Sequence, residues 1–178
     1  MRALVAYDSG GGNTEKVARA IHEQLSAEGV ACDLVKLDGG TDPDVLEYDL
    51  VFLGTPTISW LPTKNVIDYV KGRMSAYGKA GVVVPGCPLQ PGKWSVPFCT
   101  YAGTHCGMQE AWPVTKWLSA FFGHIGYPVF DEWHFLGEFH GEHPDGRMGV
   151  VEGRPSAQDV AEVRQRIRGM MKSLAAFK

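Results

Sequence analysis

The sequence predicts an α/β protein built on a five-stranded parallel sheet with helices on both faces. Three observations lead there. Short apolar runs alternate with amphipathic stretches along the chain, the pattern of strands joined by crossover helices. Glycine- or proline-bearing turns follow the apolar runs, where a chain leaves a strand. Apolar residues make up 44% of the 178 positions and charged residues 21%, enough to bury a core in a single globular domain spanning 1–178.

The elements follow in order. Ala3 to Tyr7 is a short apolar run of the kind buried on both faces of a parallel sheet. After a glycine loop, Val17, Ala18, Ile21 and Leu25 recur at helical spacing, and Gly29 is a stop. Val30 to Leu37 reads as a strand, and Asp44 to Tyr48 as a short helical turn. Leu50 to Leu53 is the third strand, stopped by Gly54-Thr55-Pro56. Val66, Ile67, Val70 and Met74 mark the next helix. Gly81 to Val84 and Val96 to Tyr101 compete for the fourth strand; the latter is favoured, which makes 75–94 an insertion. Glu110 to Gly123 is helical, with Pro113 in the first turn, where its missing N–H is no loss. Tyr127 to Phe135 is the last strand. Residues 137–153, rich in Gly, His and charge, read as a surface excursion. Ser156 is placed to cap a final helix carrying Val160, Val163, Ile167, Met170 and Leu174.

Several function classes fall away. A net charge of -3 disfavours a nucleic-acid binder with a broad basic face. Cys32, Cys87, Cys99 and Cys106 form no C-x-x-C pair, so neither a zinc ribbon nor a thioredoxin motif is present, and the thiols are expected reduced. The opening apolar stretch is too short for a signal peptide or a membrane span, so the expected location is cytoplasmic. Among His134, Glu138, His140, Glu142 and His143 no familiar metal-ligand spacing occurs, and they read as a solvated loop.

The chemistry should lie in the loops that leave the carboxyl ends of the strands, where such sheets bind ligands. "YDSGGGNTEKVA", Tyr7 to Ala18, passes from strand through glycines into a helix. A nucleoside triphosphate loop needs Gly-Lys-Ser/Thr before the helix, and here the first lysine is Lys16, inside it. The dinucleotide pattern G-x-G-x-x-G fails because Glu15 takes the third glycine position. What remains is an anion pocket without a cation of its own. Ser9 and Thr14 bring hydroxyls, Asn13 an amide, Gly10, Gly11 and Gly12 close backbone approach, and the helix N-terminus a favourable dipole. That set suits one terminal phosphate monoester, with Asp8 expected to point away from it.

Three stretches together resemble the flavodoxin family. Ser9, Gly12, Asn13 and Thr14 match its phosphate loop, with Gly10 and Gly11 in place of commoner hydroxyl residues. "YDLVFLGTPTISWLPTK", Tyr48 to Lys64, resembles its third strand and second flavin loop, and "FCTYAGTHCG", Phe98 to Gly107, its fourth strand and third flavin loop. Gly153 to Arg164 has the look of the lead into its final helix. The resemblance implies a doubly wound sheet in strand order 2-1-3-4-5 and non-covalent FMN. It implies a phosphate held by Ser9 to Thr14, and a flavin ring between Pro56, Thr57, Ile58, Ser59 and Trp60 on one side and Thr100, Tyr101, Ala102 and Gly103 on the other.

The residues agree with that carry-over. Trp60 and Tyr101 can stack on a flat π-system, and Gly103 would let amides reach the ring edge. His105 and Cys106 stand in the third loop within reach of substrate or flavin. The insertion 75–94 has three open readings: it covers the flavin edge, builds a homodimer surface, or does neither. The expected role is an FMN-binding redox protein mediating electron transfer with a partner protein. Its alternatives are an NAD(P)H-dependent flavin reductase of quinones or other small acceptors, and a flavin-free interaction module on the same fold.

Overall fold

A computed structural model describes residues 1–139 and 151–176. Its five strands are β1 (Arg2–Tyr7), β2 (Ala31–Lys36), β3 (Leu50–Pro56), β4 (Trp94–Tyr101) and β5 (Trp133–Leu136). They form one sheet in the order β2-β1-β3-β4-β5, and every neighbouring pair is parallel. The connecting helices are α1 (Asn13–Ala27), α2 (Lys64–Lys79), α3 (Trp112–His124) and α4 (Ala157–Ala175). This is the doubly wound sheet in the order the family resemblance implied.

Alternation along the strands divides the core in two. Ala3, Val5, Tyr7, Phe52 and Phe98 face α1 and α4, meeting Val17, Ile21 and Leu25 from one and Val163, Ile167 and Met170 from the other. Leu4, Ala6, Val51 and Leu53 face α2 and α3, meeting Val66, Val70, Leu118 and Phe122. Successive strand side chains point to opposite faces, so a strand covered on both sides reads as one continuous apolar run. Each fully buried Leu, Ile or Phe contributes about 1.5–3 kcal/mol.

Because the strands all run parallel, the loops after β1, β3 and β4 leave from one end of the sheet. Two expected boundaries move. The last strand begins at Trp133 rather than Tyr127. Pro128 has no N–H to give a ladder, and its carbonyl takes both the Ser95 N–H and the Ser95 hydroxyl. Tyr127 turns inward, its hydroxyl 3.0 Å from the carbonyls of Val45 and Tyr48. The helix expected from Glu110 begins at Trp112, behind a short 3-10 turn over Gly107–Glu110.

Gly81 to Val84 forms no strand, as expected of the disfavoured candidate; Val82 and Val83 pack against the α2–α3 side of the core. The supposed insertion 75–94 begins as the last turn of α2. Its remainder runs along the amino ends of the strands, with the Gln90 N–H on the Gly126 carbonyl and Lys93 Nζ on Asp49. It therefore lies at the opposite edge from the flavin-loop side and cannot cover a cofactor there. Of the surface excursion expected at 137–153, residues 140–150, with His140, Glu142 and His143, lie outside the described residues.

Ser156 caps α4 as its sequence position predicts, in a capping box with Asp159. Asp159 is almost wholly buried and pairs with Arg154 at 2.5 Å. Burial alone would raise its pKa; the Arg154 and Ser156 hydrogen bonds more than offset this and hold it below the usual carboxylate range. The folded pKa thus lies below the unfolded one, so the stabilisation is complete above about pH 4 and fades as pH falls through the folded value. Asp159→Asn should cost about 1 kcal/mol at pH 7. Urea unfolding across pH should show the gap from wild type closing on the acid side.

Gly54 in β3 has a packing reason. A Cβ there would lie 2.0 Å from the Phe98 ring, which is fully buried and cannot swing away. Gly54→Ala should destabilise the protein by about 1–3 kcal/mol, read as a lower urea midpoint at unchanged m-value.

Candidate functional site

Two adjoining cavities open at the carboxyl ends of β1, β3 and β4. The inner one has a volume of about 450 Å³ and the outer about 320 Å³. Thr57, Ala102 and Phe139 line both. The inner volume is within the range of small-molecule sites.

The first loop forms the floor of the inner cavity. The chain enters α1 through Gly12, which has a left-handed φ of 88° that glycine adopts without strain. No side chain caps α1, so the N–H groups of its first turn lack the usual partner and their dipole faces the cavity. Ser9, Gly10, Gly11, Asn13 and Thr14 all line this cavity, and among the described residues no lysine or arginine does. Lys16 is directed elsewhere, to the Pro155 carbonyl.

Local bonds change what each residue offers. Thr14 Oγ1 is 2.8 Å from Thr100 Oγ1, and both residues are buried. Two hydroxyls sharing one hydrogen bond leave one proton over, free to point into the cavity. Ser9 Oγ accepts the Gly12 N–H at 3.1 Å and keeps its own hydrogen to give. Asn13 does not present its amide freely: Nδ2 donates to the Glu138 carbonyl at 2.7 Å, tying α1 to the chain beyond β5. Asp8 does not turn away. It lines the cavity, with Oδ1 accepting the Ser9 N–H at 2.8 Å and Oδ2 at 3.5 Å from the Asn65 amide.

The second loop carries Pro56, Thr57 and Ile58 into the inner cavity and Ser59 and Trp60 into the outer. Ile58 and Leu61 exchange both backbone hydrogen bonds at 3.0 Å around Ser59 (φ 49°) and Trp60 (φ 63°). Positive φ at both central positions is the tight hairpin turn normally given to Asn and Gly. Here a serine and a tryptophan adopt it, at a backbone cost of roughly 1 kcal/mol or more each. The turn leaves the Trp60 ring 61% exposed at the cavity. At the shared wall, Thr57 Oγ1 is buried without a hydrogen-bond partner. Burial pushes the neighbouring Cys99 thiol up to about 12.

The third loop places Thr100, Tyr101 and Ala102 in the inner cavity and Ala102, His105 and Cys106 in the outer. Burial pushes up the Tyr101 phenol pKa, so the ring stays neutral. Gly103 behaves differently from expectation. It lines neither cavity, and its N–H is taken by Glu110 Oε2 at 3.1 Å. Its φ is 68°, and a Cβ there would come within 2.8 Å of the Tyr101 ring. Gly12 likewise shapes the loop without lining the space.

Sequence reading missed part of the wall. Gly137, Glu138 and Phe139, taken as surface, line the inner cavity together with Thr63 and Asn65, and Thr104 and Glu110 line the outer. The Gly137 N–H bonds the Tyr101 carbonyl and the Glu138 N–H bonds the Arg154 carbonyl, which draws this stretch over the loop. A Cβ on Gly137 would meet Asn13 Nδ2 at 2.9 Å. A glycine two residues after an apolar strand was the available signal. Among the described residues no His, Cys, Asp and Glu group could hold a metal ion.

The fold is flavodoxin-like, with the strand order β2-β1-β3-β4-β5. Residues 5–65 match the family model described as Flavodoxin. Flavodoxin 1 from Bacillus cereus is similar in structure, with a TM-score of 0.70 at 15% identity over 97% of this chain and 98% of that one. Rubredoxin oxygen:oxidoreductase from Desulfovibrio gigas gives 0.66 at 16% identity over 98% of this chain but 36% of its own. At such identities the likeness carries the fold alone. An uncharacterised protein of Methanocaldococcus jannaschii is 27% identical over 139 residues, and the chain spans 30% of its length. The likeness shows a flavodoxin-like fold, and residues 5–65 carry the sequence similarity to the family model.

The paired hydroxyls give a direct test. Thr14→Val removes one and strands the other, so FMN affinity should fall roughly tenfold or more, as for the loss of a hydrogen bond to a charged group. Titration of the apoprotein with FMN measures this, with circular dichroism to check that the fold is kept.

Proposed function

We propose that this chain is an FMN-binding, flavodoxin-like electron-transfer protein. The observation that carries the reading is the uncapped start of α1. It opens into a cavity furnished with hydroxyls and, among the described residues, lined by no lysine or arginine, and the cavity continues to two aromatic side chains. A phosphate monoester is met by the N–H groups of α1 and by the spare hydroxyl protons of Ser9 and the Thr14–Thr100 pair. The unpartnered Thr57 hydroxyl offers a bond farther in. Trp60 and Tyr101 supply flat apolar faces for a flavin ring, and Phe139 adds a third from beyond β5. The bound cofactor supplies the electron chemistry; the chain holds it, shields it from water and sets its surroundings.

Ile58, Trp60 and Phe139 are exposed to 57%, 61% and 49% at the cavity mouth. An apolar rim of this kind suits docking of a redox partner protein, whose area of contact would bury what now faces water. The four free thiols suit a reducing compartment such as the cytoplasm. No described helix is long and apolar enough to cross a membrane.

The outer cavity, with Trp60, His105 and Cys106 on its walls, favours a second reading: a reductase that admits a nicotinamide, quinone or other small acceptor beside the flavin. Purified protein should be yellow with flavin absorption, or become so with added FMN. A colourless chain that refuses FMN would leave the flavin-free module. Rapid reduction by NADH or NADPH without any partner protein would favour the reductase, and slow reduction the carrier.

A further inference from the structure

We propose that Glu110 is a positioning residue that lowers the reduction potential of the bound cofactor, by tying down the amides of the third loop and by keeping a fixed negative charge on the cavity wall. This rests on the FMN reading above.

The geometry is unusual for a carboxylate beside an anion-binding cavity. Glu110 lines the outer cavity with Trp60, His105 and Cys106. Its Oε1 accepts the His105 N–H at 3.0 Å and the Cys106 N–H at 3.1 Å. Its Oε2 accepts the Gly103 N–H at 3.1 Å, and the Cys106 thiol lies 3.8 Å from Oε1. Three amides of one loop converge on one carboxylate, so the chain's own anion already occupies them.

Two effects follow, of the same sign. Those three N–H groups, left free, would put the positive ends of their dipoles beside the outer cavity and would make added electrons on a cofactor there easier to hold; Glu110 consumes them. Its charge then opposes the extra electrons directly. Coulomb repulsion across a partly solvated protein wall is worth a several-fold change in an equilibrium constant. The charge persists at neutral pH. Burial pushes the Glu110 pKa up, but the Cys106, His105 and Gly103 amides more than offset it and hold the group below the usual range. His105 is the titratable neighbour that adds to this.

The decisive variant is Glu110→Gln, which keeps side-chain length and one acceptor oxygen while removing the charge and one amide's partner. Spectroelectrochemical titration of the FMN-loaded protein should give a higher potential than wild type. The expected shift corresponds to a threefold to tenfold rise in the ratio of reduced- to oxidised-FMN affinity, about 14–30 mV for a two-electron couple. Glu110→Asp keeps the charge and should return the potential toward wild type. If Glu110→Gln holds FMN weakly, titrating it with FMN under oxidising and under reducing conditions yields the same ratio. An unchanged ratio would overturn the inference and leave Glu110 a loop anchor only, with the FMN reading standing. A wild-type chain that takes up no FMN would overturn both.

Discussion

Everything functional here depends on how the chain passes from β1 into α1. A parallel strand ends in the sheet with its next residues at the carboxyl edge, and the helix that follows must cross back over one face. Gly12 turns that corner with a backbone angle open to glycine, and the first turn of α1 is left facing inward with no side chain over it. Sheet packing, worth far more than any loop contact, fixes the direction of the helix. The loop is therefore held in place by Val17, Ile21 and Leu25 as much as by its own hydrogen bonds.

The walls of the site are built by ties between distant segments. Thr14 meets Thr100 across 86 positions, and Asn13 meets Glu138 across 125. The Thr57 N–H bonds the Thr100 carbonyl, which extends the β3–β4 pairing past the end of the ladder. These ties let a strained turn at Ser59 and Trp60 persist. The cost of two left-handed side-chain residues is small against the buried strands on either side, and its product is an aromatic ring displayed to the cavity rather than folded onto the core.

Charge is distributed with a consistent logic. The end of the cavity suited to a phosphoryl group is furnished by neutral donors and a helix dipole. Anionic side chains nearby, Asp8 and Glu110, are each occupied by backbone N–H groups. A carboxylate so bonded is held rigidly and its charge is partly spread into the peptide dipoles.

The sequence by itself determined the layered α/β architecture, the glycine loop and most residues around the cavity. Periodicity and turn chemistry are local, and they write themselves into neighbouring positions. Ser156 at a helix start and the buried strand Val96 to Tyr101 were legible for that reason. Only the tertiary structure decided what each polar group was free to do. Asn13 is spent on a carbonyl 125 residues away, Gly103 gives its amide to Glu110, and Gly137 to Phe139 close over the loop instead of facing water. Hydrogen-bond partners across the sheet are set by strand order and loop path, and no pattern within a few residues carries that information.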